Sequence, residues 1–164
     1  MIIMGIDPGL AILGWGIIES NGNTQKLIAY GCILTTPKQT FPDRLKQIKS
    51  EMQTLIETYN PDEIAFEELF FAKNVTTALT VGAARGVAIA TCATKLEVLY
   101  EYTPMQVKQA IVGYGRADKQ QVQQMVKVLL NMSNIAKPDD AADALAIALT
   151  HAATGASKIQ FAMK

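Results

Sequence analysis

The chain has 164 residues, 49% of them hydrophobic, which suits one domain with a full-sized core. Fifteen Lys and Arg balance fifteen Asp and Glu, so no overall basic charge advertises nucleic-acid binding, although a neutral total can hide acids gathered at one site and lysines ringing it. A single histidine, His151, argues against a histidine-rich zinc centre and a Ser-His-Asp hydrolase, and the distant Cys32 and Cys92 read as buried thiols of a cytosolic chain. No apolar run is long enough to span a membrane, and no secretory leader is visible.

In chain order, Ile2, Met4 and Ile6 alternate with Ile3 and Gly5, so both faces are apolar until Asp7. This pattern predicts a buried central strand. Pro8 and Gly9 then force a turn. Gly5 would leave open space beside Asp7. An acid at such a strand tip is either a metal or phosphate station or the opening residue of an ordinary turn. A second strand is expected over 10–19, where Gly14 and Gly16 suggest that a backbone or ligand comes close. Ser20-Asn21-Gly22-Asn23 is a turn signal, and 26–34 completes an antiparallel meander.

Over 41–59 the period becomes helical, with Leu45, Ile48, Met52, Leu55, Ile56 and Tyr59 on one face. Residues 63–67 form a short strand that a helical crossover makes a parallel partner of the first. It too ends in an acid, Glu67. Asn74 can cap a helix to about residue 96, in which Gly82 and Gly86 lie four apart. That small-residue face serves either self-association or packing on the sheet. A fifth strand follows over 97–102. Pro104 opens a helix to Val112, and Asp118 with Gln121 forms a capping box for the next. The last helix runs from Asp139 or Asp140 to about Thr154. The domain therefore spans 1–155 with a frayed tail, 156–164, and its class is α/β with a mixed five-stranded sheet flanked by helices.

Asp140 and Asp143 share one face of that last helix. Ala144 to Leu149 is almost wholly apolar and must be buried, which sets Asp143 against the core, where a lone carboxylate is expensive. Asp139 or Asp140 can serve as an N-cap, but a cap needs neither Asp143 nor Glu67. If Asp7, Glu67, Asp140 and Asp143 meet, their repulsion calls for a hard, oxygen-seeking cation such as Mg²⁺. Two such ions about 4 Å apart activate water and stabilise the leaving oxygen of a phosphoryl displacement.

Met4-Gly5-Ile6-Asp7-Pro8-Gly9, Phe66 to Asn74, Gly82-Ala83-Ala84-Arg85-Gly86, Thr103 to Lys108, Gly113 to Gln123 and Asp140 to Ala146 together resemble the RuvC Holliday-junction resolvases, in order and over nearly the whole chain. The resemblance implies an RNase H-like fold, a homodimer, Mg²⁺-dependent nicking of four-way DNA junctions, and work with a branch-migration motor of the RuvA and RuvB type. By motif position it puts the family's metal-binding acids on Asp7, Glu67, Asp140 and Asp143.

Phe70 and Phe71 follow Glu67 where the strand should leave the core, and an aromatic there can either stack on a base or pack under the next helix. The resemblance gives base wedging to Phe70. Lys119, in the first turn of its helix, opposes the helix dipole, so a phosphate contact explains it better than local stability, although a solvated surface lysine is the ordinary case. Lys108 lies among apolar residues, as a snorkelling lysine would. The resemblance puts both at motif lysines that contact DNA or the scissile phosphate. Lys73, Arg85 and Arg116 are further candidates for backbone contacts, and no family role carries over to Arg116.

The expectation is a cytoplasmic structure-specific endonuclease carrying two Mg²⁺ ions per site, in recombination and repair. The alternatives are an RNase H-like nuclease acting on RNA–DNA hybrids and a junction-binding module whose acids are structural. A sugar-kinase-type phosphotransferase would need a longer chain.

Overall fold

The structure, a computed structural model, describes residues 1–69 and 75–164, and for 75–77 the backbone alone. Strands β1 (Ile2–Asp7), β2 (Ile12–Ser20), β3 (Gln25–Leu34), β4 (Glu63–Glu67) and β5 (Tyr100–Tyr102) form a five-stranded sheet in the order β3-β2-β1-β4-β5. The first three make the antiparallel meander, and β4 and β5 add in parallel. Helix α1 (Phe41–Tyr59) makes the crossover from β3 to β4, and α2 (Val75–Cys92) lies between β4 and β5. Helices α3 (Pro104–Val112), α4 (Lys119–Leu129) and α5 (Asp139–Thr154) follow. The sheet is mixed and RNase H-like, as the sequence pattern and the resemblance implied.

The two-residue period of the strands sorts side chains into two cores. Met4, Ile6, Ile64 and Phe66 point to α1 and α2, where Ile48, Met52, Ala84 and Ala88 meet them. Ile3 and Ala65 point the other way, to α3, α4 and α5. Between them on that second face lies Gly5. A Cβ at Gly5 would collide with the Ala144 carbonyl and the Ala148 amide, one at Gly14 with the Asp140 carbonyl, and one at Gly16 with Leu145. The close approach expected at Gly14 and Gly16 is therefore that of a helix, α5. The open space expected beside Gly5 is not there, because the same helix fills it. From Ala141 to His151, every side chain of α5 but Asp143 is buried.

Helix α2 buries Ala84, Ala88 and Cys92, while Cβ atoms at Gly82 and Gly86 would meet nothing within 4 Å. Sheet packing thus does not account for these glycines. The helix ends at Cys92, short of 96, because the Thr94 hydroxyl takes the Thr91 carbonyl at 2.7 Å and the chain turns. Strand β5 is correspondingly shorter than expected. Gly155–Phe161 coils into a 3₁₀ helix, Phe161 stacks 4.8 Å from the Tyr102 ring, and Ala162 bridges Tyr100 across the edge of β5. Among the described residues no helix is long and apolar enough to cross a membrane.

Candidate active site

Strand alternation puts Asp7 on the face of Ile3 and Gly5, toward α5. Asp7 pairs with Gly14 in the register of β1 and β2, and Gly14 lies under the Asp140 carbonyl. On β4, Glu67 shares a face with Ala65 and Glu63. Helix α5 runs antiparallel to both strands, its start over their tips and its end, His151, over Glu63. The glycine track thus lets α5 settle directly on the sheet and carries Asp140 and Asp143 to the strand tips.

The electrostatics follow from that placement. Burial, then the charge of Glu67, a hydrogen bond to it, and the charges of Asp143 and Asp140 push Asp7 up to about 8. Glu67 is also raised, by burial and Asp143, against the hydrogen bond from Asp7 and the charge of Lys119. The pair therefore holds a proton on Asp7, donated to Glu67. Burial raises Asp143 too, with Lys119 opposing. Burial works to lower the Lys119 pKa, but Asp143 outweighs it and the net shift is upward, so the ammonium stays charged.

A cleft of about 210 Å³ brings Glu67 and Asp143 together with Lys108 and Lys119. Lys119 Nζ lies 2.9 Å from Asp143 Oδ2 and 3.7 Å from Asp139 Oδ2, and Lys137 Nζ lies 2.9 Å from Asp139 Oδ1. Among the described residues no three acidic, cysteine or histidine side chains close tightly enough to cage an ion as they stand. The donor set nevertheless suits a hard divalent cation. It is all oxygen, its members repel one another, and a proton on Asp7 and an ammonium on Asp143 supply the positive charge that such an ion brings.

Arg85 is not at this cleft. It is largely buried and bonds Glu101 Oε2 at 2.5 Å, an interaction that ties α2 to β5. Arg116 is exposed in the loop between α3 and α4. Phe70 and Lys73, like Phe71 and the expected cap Asn74, lie outside the described residues.

Sequence reasoning treated Asp139 only as a cap. The cap position belongs to Pro138, and no side chain caps α5, which leaves Asp139 to Lys137, Lys119 and Gln123. Cys32 was also missed as a neighbour. It pairs with Gly14, and burial and Asp140 push its thiol up to about 11, which keeps it protonated. The register of the meander could have located it.

At the far end of α5, the buried His151 sits between two partners. Its Nε2 lies 2.7 Å from Glu63 Oε2 and its Nδ1 2.8 Å from the Tyr102 hydroxyl. With Nε2 donating to the carboxylate, Nδ1 accepts from the tyrosine. Lys158 pairs with the other oxygen of Glu63. Burial holds the His151 pKa below its ordinary value despite Glu63.

Known proteins resemble the chain over nearly its whole length. The family model described as crossover junction endodeoxyribonuclease RuvC matches residues 3–151. A crossover junction endodeoxyribonuclease RuvC from Alkaliphilus oremlandii (strain OhILAs) is 57% identical over 164 residues, 100% of each chain. The Thermus thermophilus RuvC structure superposes with a TM-score of 0.88 at 34% identity, over 99% of this chain and 98% of that one. T. thermophilus RuvC in complex with a Holliday junction substrate superposes equally well, at 32% identity and the same coverage.

Proposed function

The chain belongs to the RuvC family of crossover junction endodeoxyribonucleases, and on that premise we propose that it resolves four-way Holliday junctions by paired, metal-dependent nicks in DNA recombination and repair. The observation that carries the site assignment is the meeting of two separately built pairs of acids. Asp7 and Glu67 end adjacent parallel strands, and α5 brings Asp140 and Asp143 onto them.

The ion is Mg²⁺, two per site, held by Asp7, Glu67, Asp140 and Asp143. Bound there, Mg²⁺ supplies an activated water and counter-charge for the leaving oxygen of an in-line phosphoryl displacement. Asp7 feels all three other acids, so it would hold a metal together with them. As a ligand it would be ionised. Lys108 and Lys119, at the same cleft as Glu67 and Asp143, hold the scissile phosphate by charge. Phe70 wedges bases at the branch point, and Lys73 and Arg116 add backbone contacts. Arg85, committed to Glu101, supports the sheet edge and reaches DNA only if that pair opens.

The chain acts as a homodimer in the cytoplasm, beside a branch-migration motor of the RuvA and RuvB type. The outward Gly82 and Gly86 of α2 suit close helix approach between two copies, which would set two sites on opposite strands of one junction. Asp7→Asn should bind a four-way junction but not nick it in Mg²⁺, and the unaltered chain should stop nicking in EDTA. Cutting by the variant at the normal rate would sink the assignment. A hybrid duplex cut faster than a junction would redirect it to the RNA–DNA alternative.

A further inference from the structure

We propose that Lys119 is a built-in stand-in for the divalent cation, and that Asp139 is the positioning residue that draws it off Asp143 when an ion enters. The proposal rests on the reading of Asp143 as a metal ligand. Lys119 is the first residue of α4, where a cation opposes the helix dipole, so the helix itself gives it no reason to be there. Its partners are across the gap on α5, Asp143 at 2.9 Å and Asp139 at 3.7 Å. These two acids are four residues apart and therefore stacked on one flank of the helix. Both present Oδ2 to the same ammonium.

Asp139 is placed to receive it. Pro138 occupies the cap position, so the Asp139 carboxylate is not spent on backbone amides. Its Oδ1 is held by Lys137 at 2.9 Å and Gln123 also faces the carboxylate, while Oδ2 lies 3.7 Å from Lys119. The side chains are half exposed, 53% for Lys119 and 43% for Asp139, so the lysine can move between acids without repacking the core.

The exchange is needed because an ammonium and Mg²⁺ compete for one carboxylate. Mg²⁺ needs its oxygens at about 2.0–2.1 Å and would face a positive neighbour in contact with the same group. If Lys119 had only Asp143, each ion bound would leave the lysine unpaired beside a like charge. Asp139 gives it a second seat one turn away. Asp139 thereby sets metal affinity without itself being a ligand.

The test is Mg²⁺ binding by isothermal titration calorimetry on the full chain, without DNA, for the unaltered protein, Asp139→Asn, Lys119→Met and the double variant. Asp139→Asn should weaken Mg²⁺ binding roughly two- to fivefold, the range in which an exposed ion pair moves an equilibrium. Lys119→Met should tighten binding by at least as much. With Lys119 already replaced, Asp139→Asn should have little further effect. Unchanged affinity in Asp139→Asn overturns the proposal. So does an equal loss in the Lys119→Met background, since Asp139 would then act only as one more nearby charge. Asp7→Asn separates the two levels: if it binds Mg²⁺ as the unaltered chain does, the acid site itself is misassigned.

Discussion

Strand β4 carries a glutamate at each end of one face, and α5 passes over both, yet the two are treated in opposite ways. Four residues of strand span about 13 Å, and the eight residues of helix from Asp143 to His151 span about 12 Å. The same two elements therefore frame both sites. At one end Glu63 has His151 and Lys158, and His151 has Tyr102, so the buried polar groups there are paired. At the other, Glu67 faces Asp7 and Asp143, and like charges are crowded against a proton and one lysine. A completed network holds the fold together. An incomplete one costs stability and demands a ligand, which is how perturbed acids mark function.

The sharpest way to break this contrast is Asp7→Asn. Nicking should fall by at least about a hundredfold, the scale of losing one preorganised electrostatic contact. The melting temperature measured in EDTA should hold or rise, because a repelled carboxyl is gone. A fall of several degrees would show that the acid end also supports the fold. His151→Ala should do the reverse. It removes two buried hydrogen bonds and leaves a cavity, at a cost of about 2–4 kcal/mol in urea denaturation, with nicking by the folded fraction little changed. Gly5→Ala should injure both ends together. Its methyl meets the α5 backbone, so about 1–3 kcal/mol of stability is lost to overpacking, and nicking falls as the helix is displaced.

The finest difference is in pH. Folded Asp7 keeps its proton to about pH 8, whereas the unfolded value is 3.8. Between them the folded chain binds more protons, so this contribution to stability declines as pH rises. His151 has the opposite sign. Its folded pKa lies below 6.5, so the unfolded chain takes up protons first as pH falls, and stability drops on the acid side. Urea midpoints in EDTA from pH 5 to 8 should lose their alkaline decline in Asp7→Asn and their acid decline in His151→Gln. Slopes unchanged by either variant would mean that other groups govern both limbs.

What could be read in advance followed the kind of signal each feature leaves. Helix α1 and strands β1 to β4 showed themselves by period, and α3 and α4 by Pro104 and the Asp118 box, because local chemistry fixes those elements. The four acids stood out because strand tips and an apolar helix do not ordinarily carry carboxylates. Gly14 and Gly16 announce a close neighbour, but a glycine does not say which element approaches, and Gly5 by itself reads equally well as empty space. The His151 network was invisible for another reason. Its members are 49, 88 and 95 positions apart in the chain, and no local pattern encodes such pairings. The docked tail depends likewise on contacts of Phe161 and Ala162 with β5 rather than on any periodicity of its own.

The bare seam of Gly5, Gly14 and Gly16 beneath α5 has an evolutionary corollary. Ordinary layers meet through interlocking rotamers, and a lineage can drift by exchanging one hydrocarbon shape for another. At Gly5 and Gly14 main chain rests on main chain, so no such exchange is available there and a single added methyl acts as a wedge. Leucines and isoleucines around the seam can therefore be exchanged at modest cost, whereas a methyl added at Gly5 or Gly14 displaces the helix. The gap between the acids is inherited as backbone geometry.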